Sequence, residues 1–266
     1  MPTLERITVF PVKSLDPERH ESVTVGEQGA LVGDREYGIV GADGEFVTGK
    51  RDQRIHRIRS SYDPESRTLS LRRQGDEEWT TFDLASDRED ADAWLSAFFD
   101  EDVSLRRDAD GGFPDNTSSA HGPTVISTAT LETVASWFPD LTLDGARRRF
   151  RANLEVGGVP AFWEDRLVPA DGHVVAFRVG DVLLEGVKAV PRCVVPTRDP
   201  LTGEPDDGFR ERFIRQREAT FPEWVDPDRF DHSYSLMTGT RVPESEWGSS
   251  LAVGDEVELV GERSVE

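Results

Sequence analysis

The first part of the chain, up to Phe82, alternates apolar and polar positions in short runs, a pattern that is typical of strands with one buried face. Turn-forming residues separate these runs at regular spacing. We therefore predict a small antiparallel barrel or curved sheet here. The predicted strands are Arg6–Pro11, Ser22–Val25, Tyr37–Val40, Glu45–Thr48, Arg57–Tyr62, Thr68–Arg72 and Thr80–Phe82.

The pattern then changes to a helical one. Apolar residues of Asp90–Phe99 recur at helical spacing, and a predicted strand, Val103–Arg106, follows. Residues 108–123 are rich in Gly, Asp, Ser, Asn and Pro, which predicts a linker or a loop. We therefore expect two domains, residues 1–112 and residues 113–266.

Short apolar runs dominate again in the second part. Two helices are predicted, Thr130–Phe138 and the polar Phe209–Arg217. The predicted strands are Thr124–Ser127, Asn153–Val156, Val174–Val179, Val182–Val190 and Glu256–Val260. The expected fold is mainly β and β-barrel-like, with a few helices.

The charge of the chain is strongly one-sided. Its 52 acidic and 31 basic residues give a net charge of −21, and the basic residues include only three lysines, Lys13, Lys50 and Lys188. An acidic, lysine-poor surface holds water and screening ions in high salt, which indicates a halophilic source rather than a functional acidic patch. The same charge repels phosphate backbones and argues against a nucleic-acid partner.

Membrane association has no support in the sequence. No apolar run approaches the length of about 18 residues that a spanning helix needs. The first ten residues lack the basic start and apolar core of a signal peptide. We therefore expect no membrane partner and a cytoplasmic location.

The chain has a single cysteine, Cys193, which excludes an intrachain disulfide and a cysteine-ligated iron–sulfur cluster within this sequence. A lone cysteine is most often a small buried hydrophobe. Cys193, however, follows a predicted apolar strand and stands between Arg192 and Arg198, and nearby positive charge favours the thiolate. The residues alone leave both interpretations open.

A second local signal is the run from Arg147 to Arg151, which holds four arginines in five residues of an acidic chain. Guanidinium groups suit bidentate recognition of phosphate, so the run is a candidate anion site. The alternative is a set of surface arginines paired with the abundant carboxylates.

Other familiar motifs fail in their context. Residues 44–51 approach a P-loop, but Arg51 replaces the hydroxyl residue and Asp43-Gly44 predicts a hairpin turn. The five histidines are far apart in the sequence, which gives little support to a zinc hydrolase. No Gly-x-Ser-x-Gly elbow of a serine hydrolase occurs.

A series of short motifs nevertheless resembles MOSC-domain proteins in the same order and over nearly the whole chain. The resemblance is to the mitochondrial amidoxime-reducing component and its bacterial relatives, and to the C-terminal part of molybdenum cofactor sulfurases. It implies an N-terminal β domain followed by a MOSC β-barrel domain. The motifs are Phe10-Pro11-Val12-Lys13-Ser14, Gly33-Asp34-Arg35, Ile126 to Leu131, Phe150 to Leu154, Glu164-Asp165, Val179 to Val182, Arg192-Cys193 and Asp199-Pro200-x-Thr202-Gly203.

The resemblance also implies a bound group, the molybdenum cofactor (Mo-molybdopterin), with Cys193 as the metal ligand and catalytic residue. It assigns contacts with the pterin and its phosphate to other matched positions. Because the phosphate is a dianion, cationic side chains among them are suited to neutralise it. The implied cofactor-binding residues are Lys13, Ser14, Arg35, Arg151, Asn153, Arg192 and Tyr234.

The implied activity is that of a molybdenum-dependent oxidoreductase that reduces N-hydroxylated or N-oxygenated small molecules. Since no cysteine is left for a cluster, we expect electrons from an external donor protein, either ferredoxin-like or a flavoprotein. Two alternatives remain, a carrier of the molybdenum cofactor or of sulfur without turnover, and a metal-free structural protein in which Cys193 is simply buried.

Several positions depart from the family pattern. Ala152 replaces a proline, which changes little, whereas Pro196-Thr197-Arg198 replaces Thr-Thr-Val and leaves the substrate preference open. No cofactor contact is assigned to Ala120-His121-Gly122. Asp199 is a candidate proton donor, although its Asp-Pro-x-x-Gly segment is more typical of a turn.

Overall fold

The computed structural model describes residues 1–115 and 120–265, and its largest element is an eight-stranded sheet. Neighbouring strands are antiparallel except β9 and β10, which are parallel. The strands in spatial order are β15 (Val257–Ser264), β11 (His173–Val179), β12 (Val182–Pro191), β13 (Ser235–Arg241), β9 (Val125–Ser127), β10 (Leu154–Gly157), β1 (Thr3–Val9) and β2 (Glu18–His20).

The N-terminal part has a core of its own, formed by residues between Val12 and Leu105. Two small sheets and one helix enclose it, and α1 buries Ala91, Leu95 and Phe99, which lie on one helical face. The elements are β4 (Tyr37–Gly41) paired with β8 (Val103–Arg107), the sheet of β5 (Ile58–Asp63), β6 (Thr68–Arg73) and β7 (Thr80–Asp83), and α1 (Arg88–Phe99).

Three further helices pack around a separate aromatic core beside the large sheet. The Ser127 hydroxyl caps α2, and the Thr142 hydroxyl caps α3, each by accepting a bond from a backbone N–H of the first turn. These helices are α2 (Thr128–Ser136), α3 (Leu143–Phe150) and α4 (Phe209–Ala219), and a two-stranded ribbon of β3 (Ser22–Thr24) and β14 (Ser250–Ala252) completes the fold.

A buried charged cluster joins the third core to the large sheet. Glu164 is fully buried, and its Oε2 accepts hydrogen bonds from the Ser127 backbone N–H and the Thr130 hydroxyl, both at 3.1 Å. Asp165 forms an ion pair with Arg217, which is 1% exposed. We call Glu164, Asp165 and Arg217 the acidic cluster.

The prediction of a mainly β fold with a few helices is confirmed, and the predicted helices form within two residues at each end. The expected barrel closure is absent from the described part of the chain, where the large sheet is open with β15 and β2 as its edges. None of the helices in residues 1–115 and 120–265 has the length and apolarity to cross a membrane.

One predicted strand, Glu45–Thr48, was wrong. After the turn at Asp43-Gly44, the segment forms only a single bridge, between Phe46 and Val40. The Thr48 carbonyl then accepts bonds from the next turn, which bends the chain away before a ladder can extend. The domain boundary after residue 112 stays a prediction, and residues 116–119 of the predicted linker lie outside the described residues.

Candidate functional site

A cavity of about 420 Å³ lies where the N-terminal core meets the large sheet. Its walls come from the turn after β1, the ends of α3 and β12, and the loop between β8 and β9. The structure brings seven of the eight residues predicted for the site to this cavity. They are Lys13, Ser14, Arg35, Arg151, Asn153, Arg192 and Cys193.

Backbone pairing brings Lys13 and Arg35 together. The Arg35 N–H donates to the Phe10 carbonyl at 2.7 Å, and Tyr37 exchanges bonds with Pro11 and Lys13 on the same ladder. The two segments therefore run side by side, and both cationic side chains emerge at one end of the cavity. Both residues are almost completely buried, at 8% and 6% exposure.

A carboxylate lies between these two cations. Asp115 Oδ1 accepts from Lys13 Nζ, and its Oδ2 accepts from Arg35 Nε at 2.9 Å. Lys13 Nζ also donates to the carbonyls of Phe113 and Pro114, at 2.9 and 3.2 Å. The cationic end of the cavity is thus held by three consecutive residues of one loop.

The charges at this end shift one another's proton affinity. Desolvation would raise the pKa of Asp115, but Arg35 and Lys13 hold it well below its ordinary value. Burial lowers the pKa of Lys13, against the opposing effect of Asp115. Burial also acts to lower the pKa of Arg35, but Asp34 and Asp115 raise it above its ordinary value. Asp115 and Arg35 are therefore charged at neutral pH.

Arg151 lies directly after α3, where the backbone turns into the left-handed region with φ 58° and ends the helix. Its guanidinium lies 4.0 Å from the ring centre of Phe10, and Nη1 donates to the Leu15 carbonyl at 2.8 Å. Burial, and then the charge of Arg35, lowers its pKa to about 10. Its Nη2 is buried and has no hydrogen-bond partner among the described residues.

Arg192 and Cys193 follow the end of β12, where pairing with β13 ends. The Arg192 N–H donates to the Tyr234 carbonyl at 2.8 Å, and Nη2 donates to the Phe150 carbonyl at 3.2 Å. Its Nε is buried without a partner in the part of the chain that the structure describes. Cys193 is a partly buried free thiol whose Sγ accepts a bond from the Val195 N–H at 3.5 Å.

Backbone strain is concentrated around this cavity. Eight non-glycine residues of the described chain adopt a positive φ, and four of them line the cavity. Left-handed backbone is unfavourable for residues with a side chain, and it persists where the surrounding structure enforces it, often at functional sites. The four are Ser14, Arg35, Arg151 and Met237, with φ of 71°, 54°, 58° and 67°.

Two of the predicted residues have a different place from the rest. The side chain of Asn153 lines the cavity but is held by the chain, since Oδ1 accepts from Thr124 and Nδ2 donates to the Thr8 carbonyl. Tyr234 does not line the cavity. It lies beneath it with its ring edge against Phe213, and its buried hydroxyl has no partner within residues 1–115 and 120–265.

The four arginines of the run do not share the same surroundings. Arg147, Arg148 and Arg149 lie on the last turn of α3, where successive side chains point about 100° apart, and Arg151 follows the helix. All of them except Arg147 line the cavity. Arg147 pairs with Asp144 and Glu155, and Arg149 pairs with Asp206. Arg147, Arg148 and Arg149 thus have carboxylate partners, as the alternative expects, whereas Arg151 retains an unpaired Nη2 in the cavity, and the anion-site interpretation stays a prediction.

Two family models match the chain. The MOSC N-terminal beta barrel domain matches residues 1–142, and the MOSC domain matches residues 122–258. The chain belongs to the MOSC family. The resemblance inferred from the sequence motifs is thereby confirmed. MOSC domains are found in molybdenum cofactor-binding proteins.

Among solved structures, the YUAD protein from Bacillus subtilis is similar to this MOSC protein over 100% of this chain and 98% of that chain. The identity is 13% and the TM-score is 0.40, so the similarity carries no weight for function. A search of curated proteins found no match.

The MOSC cavity also contains cations that the sequence reasoning missed. All three lysines of the chain line it, although Lys50 and Lys188 belong to none of the matched motifs. Within the described residues, ten Lys or Arg side chains and three Asp side chains line the cavity, in a protein of net charge −21. Because lysine is so scarce in this chain, its few positions were a signal that could have identified Lys50 and Lys188 as candidate cavity residues.

His56 is a further residue that the sequence reasoning did not identify. Its imidazole fills the space over Gly49, where a Cβ would lie 2.6 Å from Nε2. Burial, followed by the charge of Arg151, lowers the pKa of His56 to about 4, so the ring is neutral at physiological pH. Its buried Nε2 has no hydrogen-bond partner in the described chain.

Proposed function

We propose that this MOSC protein binds the molybdenum cofactor in its cavity and reduces N-hydroxylated or N-oxygenated small molecules with electrons from an external donor protein. The observation that carries the proposal is the convergence of the only cysteine with a cationic wall that retains unpaired buried donors. Buried polar groups are ordinarily hydrogen-bonded, and exceptions require an explanation such as a missing ligand.

The donor set fits the cofactor. Cys193 offers one thiolate, and Arg192 beside it has an unpaired Nε. Arg151 has an unpaired Nη2 and neighbours the cationic end that contains Lys13 and Arg35. A phosphate dianion suits such guanidinium and ammonium groups, and its two charges offset part of the excess positive charge of the cavity.

When bound, the cofactor supplies the two-electron centre at which an N-hydroxyl group loses its oxygen. The chain would hold the metal through Cys193 and the phosphate through Lys13, Ser14, Arg35 and Arg151. The left-handed backbone of Ser14, Arg35 and Arg151 and the burial of Lys13 and Arg35 fix these groups in advance, which limits reorganisation. The overall reduction consumes two electrons and two protons and releases water.

The experiment is metal analysis combined with turnover. Wild type, expressed in a host that makes the cofactor, is expected to contain one molybdenum per chain and to reduce benzamidoxime with an artificial electron donor. Cys193→Ala is expected to lose the activity. Val194→Ala, which changes an exposed neighbour on the same segment, serves as the matched control.

The outcomes separate the alternatives. Benzamidoxime reduction by Cys193→Ala at the wild-type rate would contradict the assignment of the ligand. Stoichiometric molybdenum without turnover would identify a cofactor carrier instead. Absence of both molybdenum and pterin would leave Cys193 as a structural thiol and overturn the proposal.

A further inference from the structure

The chain itself already occupies much of the cationic end of the cavity. A lysine ammonium has three donor hydrogens, and Lys13 has three acceptors, the Phe113 and Pro114 carbonyls and Asp115 Oδ1. Arg35 gives Nε to Asp115 and Nη1 to Asp34. An incoming anion can therefore reach Lys13, or bridge Lys13 and the Arg35 Nε, only if the loop gives up bonds.

The two cations and the carboxylate of Asp115 differ in their exposure to solvent. The side chains of Lys13 and Arg35 are 10% and 7% exposed, whereas that of Asp115 is 48% exposed. A half-exposed carboxylate regains water readily when it leaves, but the buried cations would be left without a counter-charge. The carboxylate is thus the member of the group that can be exchanged.

The loop is anchored just before this carboxylate. Gly112 has φ 66°, and a Cβ there would lie 2.4 Å from the Asp34 carbonyl oxygen. The Phe113 N–H donates to the Arg35 carbonyl at 2.8 Å, and its ring packs on Phe46 with centroids 4.9 Å apart. These contacts hold residues 112 and 113 in place, so release of Asp115 requires movement only beyond them.

We propose that Asp115 is a tethered counter-anion, which occupies the Lys13–Arg35 subsite in the ligand-free protein and is exchanged for the phosphate of the ligand. Its two carboxylate oxygens bridge the two cations as two phosphate oxygens would. The unpaired Nη2 of Arg151 gives the incoming phosphate a first contact before the exchange. The identity of the ligand rests on the proposed function, whereas the exchange itself concerns any phosphate anion.

The exchange has a thermodynamic consequence. Because the subsite accepts an anion only in the fraction of molecules from which Asp115 is displaced, the apparent affinity for phosphate is reduced by that fraction. The cavity therefore discriminates against weakly bound anions of the medium and admits a ligand that makes further contacts deeper in the cavity.

The test measures binding of inorganic phosphate to cofactor-free protein by calorimetry, at fixed pH and ionic strength. Asp115→Asn is expected to bind phosphate about tenfold more tightly than wild type or better, because the competing charged hydrogen bonds are gone. The matched control, Asp110→Asn, removes the same charge from the same loop, and is expected to stay within about twofold. Lys13→Gln in the Asp115→Asn background is expected to abolish the gain.

Two results would overturn the exchange. The first is equal or weaker phosphate binding by Asp115→Asn, which would mean that the carboxylate stays in place and supports the site. The second is an equal gain in Asp110→Asn, which would reduce the effect to net charge. If Asp115→Asn is poorly folded by circular dichroism, Asp115→Ser answers the same question. None of these results depends on molybdenum content, so failure of the proposed function is recognised separately.

Discussion

Two buried charged regions of this MOSC protein have opposite compositions. The acidic cluster combines two carboxyl groups with one arginine, and Arg217 is sandwiched between the rings of Phe162 and Phe221 at 4.3 and 4.4 Å. The cavity instead combines an excess of cations with several unpaired donors. The acidic cluster also leaves Glu164 Oε1 and Arg217 Nη1 without a partner among the described residues, but its opposite charges lie together, and it joins α4 to the large sheet.

We expect this difference to separate charges that stabilise the fold from charges that bind a ligand. Both regions contain residues of matched family motifs, so motif membership does not distinguish the two roles. Removing a member of the acidic cluster is expected to lower stability, whereas removing a cavity cation is expected to lower anion binding. The following substitutions test this distinction.

The largest loss of stability is expected for Asp165→Asn. It leaves the guanidinium of Arg217, which is 1% exposed, without its carboxylate, and such losses are about 3–5 kcal/mol. Guanidinium chloride unfolding at constant buffer salt measures the change. Asp171→Asn, an exposed position, is the control. If Asp165→Asn and Asp171→Asn both lowered the free energy of unfolding by an equally small amount, the acidic cluster would not be a stabilising feature.

The next effect concerns the pH dependence that Glu164 imposes. Burial, and then the charge of Asp165, raises its pKa to about 7. Between its ordinary value of 4.5 and 7, only the folded state holds this proton, so the contribution to stability is present below pH 4.5 and is lost as the pH rises to 7. The loss is on the order of 3 kcal/mol. Glu164→Gln is expected to flatten this part of a stability–pH curve, and an unchanged slope would contradict the assignment.

A smaller loss is expected for Gly49→Ala at the cavity wall. The added methyl group would lie 2.6 Å from His56 Nε2, and overpacking of this kind costs about 1–3 kcal/mol. The double variant with His56→Ala relieves the contact, so a double-mutant cycle in thermal unfolding should show strong coupling. Additive losses would show that the imidazole does not fill this space.

The smallest change in stability is expected for Arg151→Gln, about 1 kcal/mol or less, because the lost bond to Leu15 is offset by reduced repulsion from Arg35. Phosphate binding by the cofactor-free protein should nevertheless weaken about tenfold. Arg178→Gln, an exposed arginine outside the cavity that donates to the Asp181 carbonyl, is the control. A large loss of stability without a loss of phosphate binding would contradict this prediction, because it would mean that Arg151 stabilises the fold, as the acidic cluster does, and does not bind the anion.

Much of this arrangement was predictable from the sequence. Lys13, Arg35, Arg151 and Cys193 lie in short motifs whose residue types carry their chemistry, and the structure gathers them in one cavity. Asp115 was not predictable, because one carboxylate among 52 acidic residues gives no signal until the fold places it between two cations.

Four elements escaped the pattern analysis, the short strands β2 and β14 together with α3 and β13, and the last two did so for physical reasons. The arginines of α3 mask its apolar face, which consists of little more than Ala146 and Phe150. Strand β13 is buried at six of its seven positions, so it lacks the polar–apolar alternation by which strands are recognised. In both cases tertiary burial, which local pattern does not encode, determined the element.

The place of β1 in the large sheet also determines when the site can form during synthesis. Thr3–Val9 pairs with Leu154–Gly157, which is translated much later. Thr3–Val9 must therefore wait, with one edge unpaired, until Leu154–Gly157 has emerged. The turn that bears Lys13 is accordingly positioned late, because it is fixed only when this pairing closes.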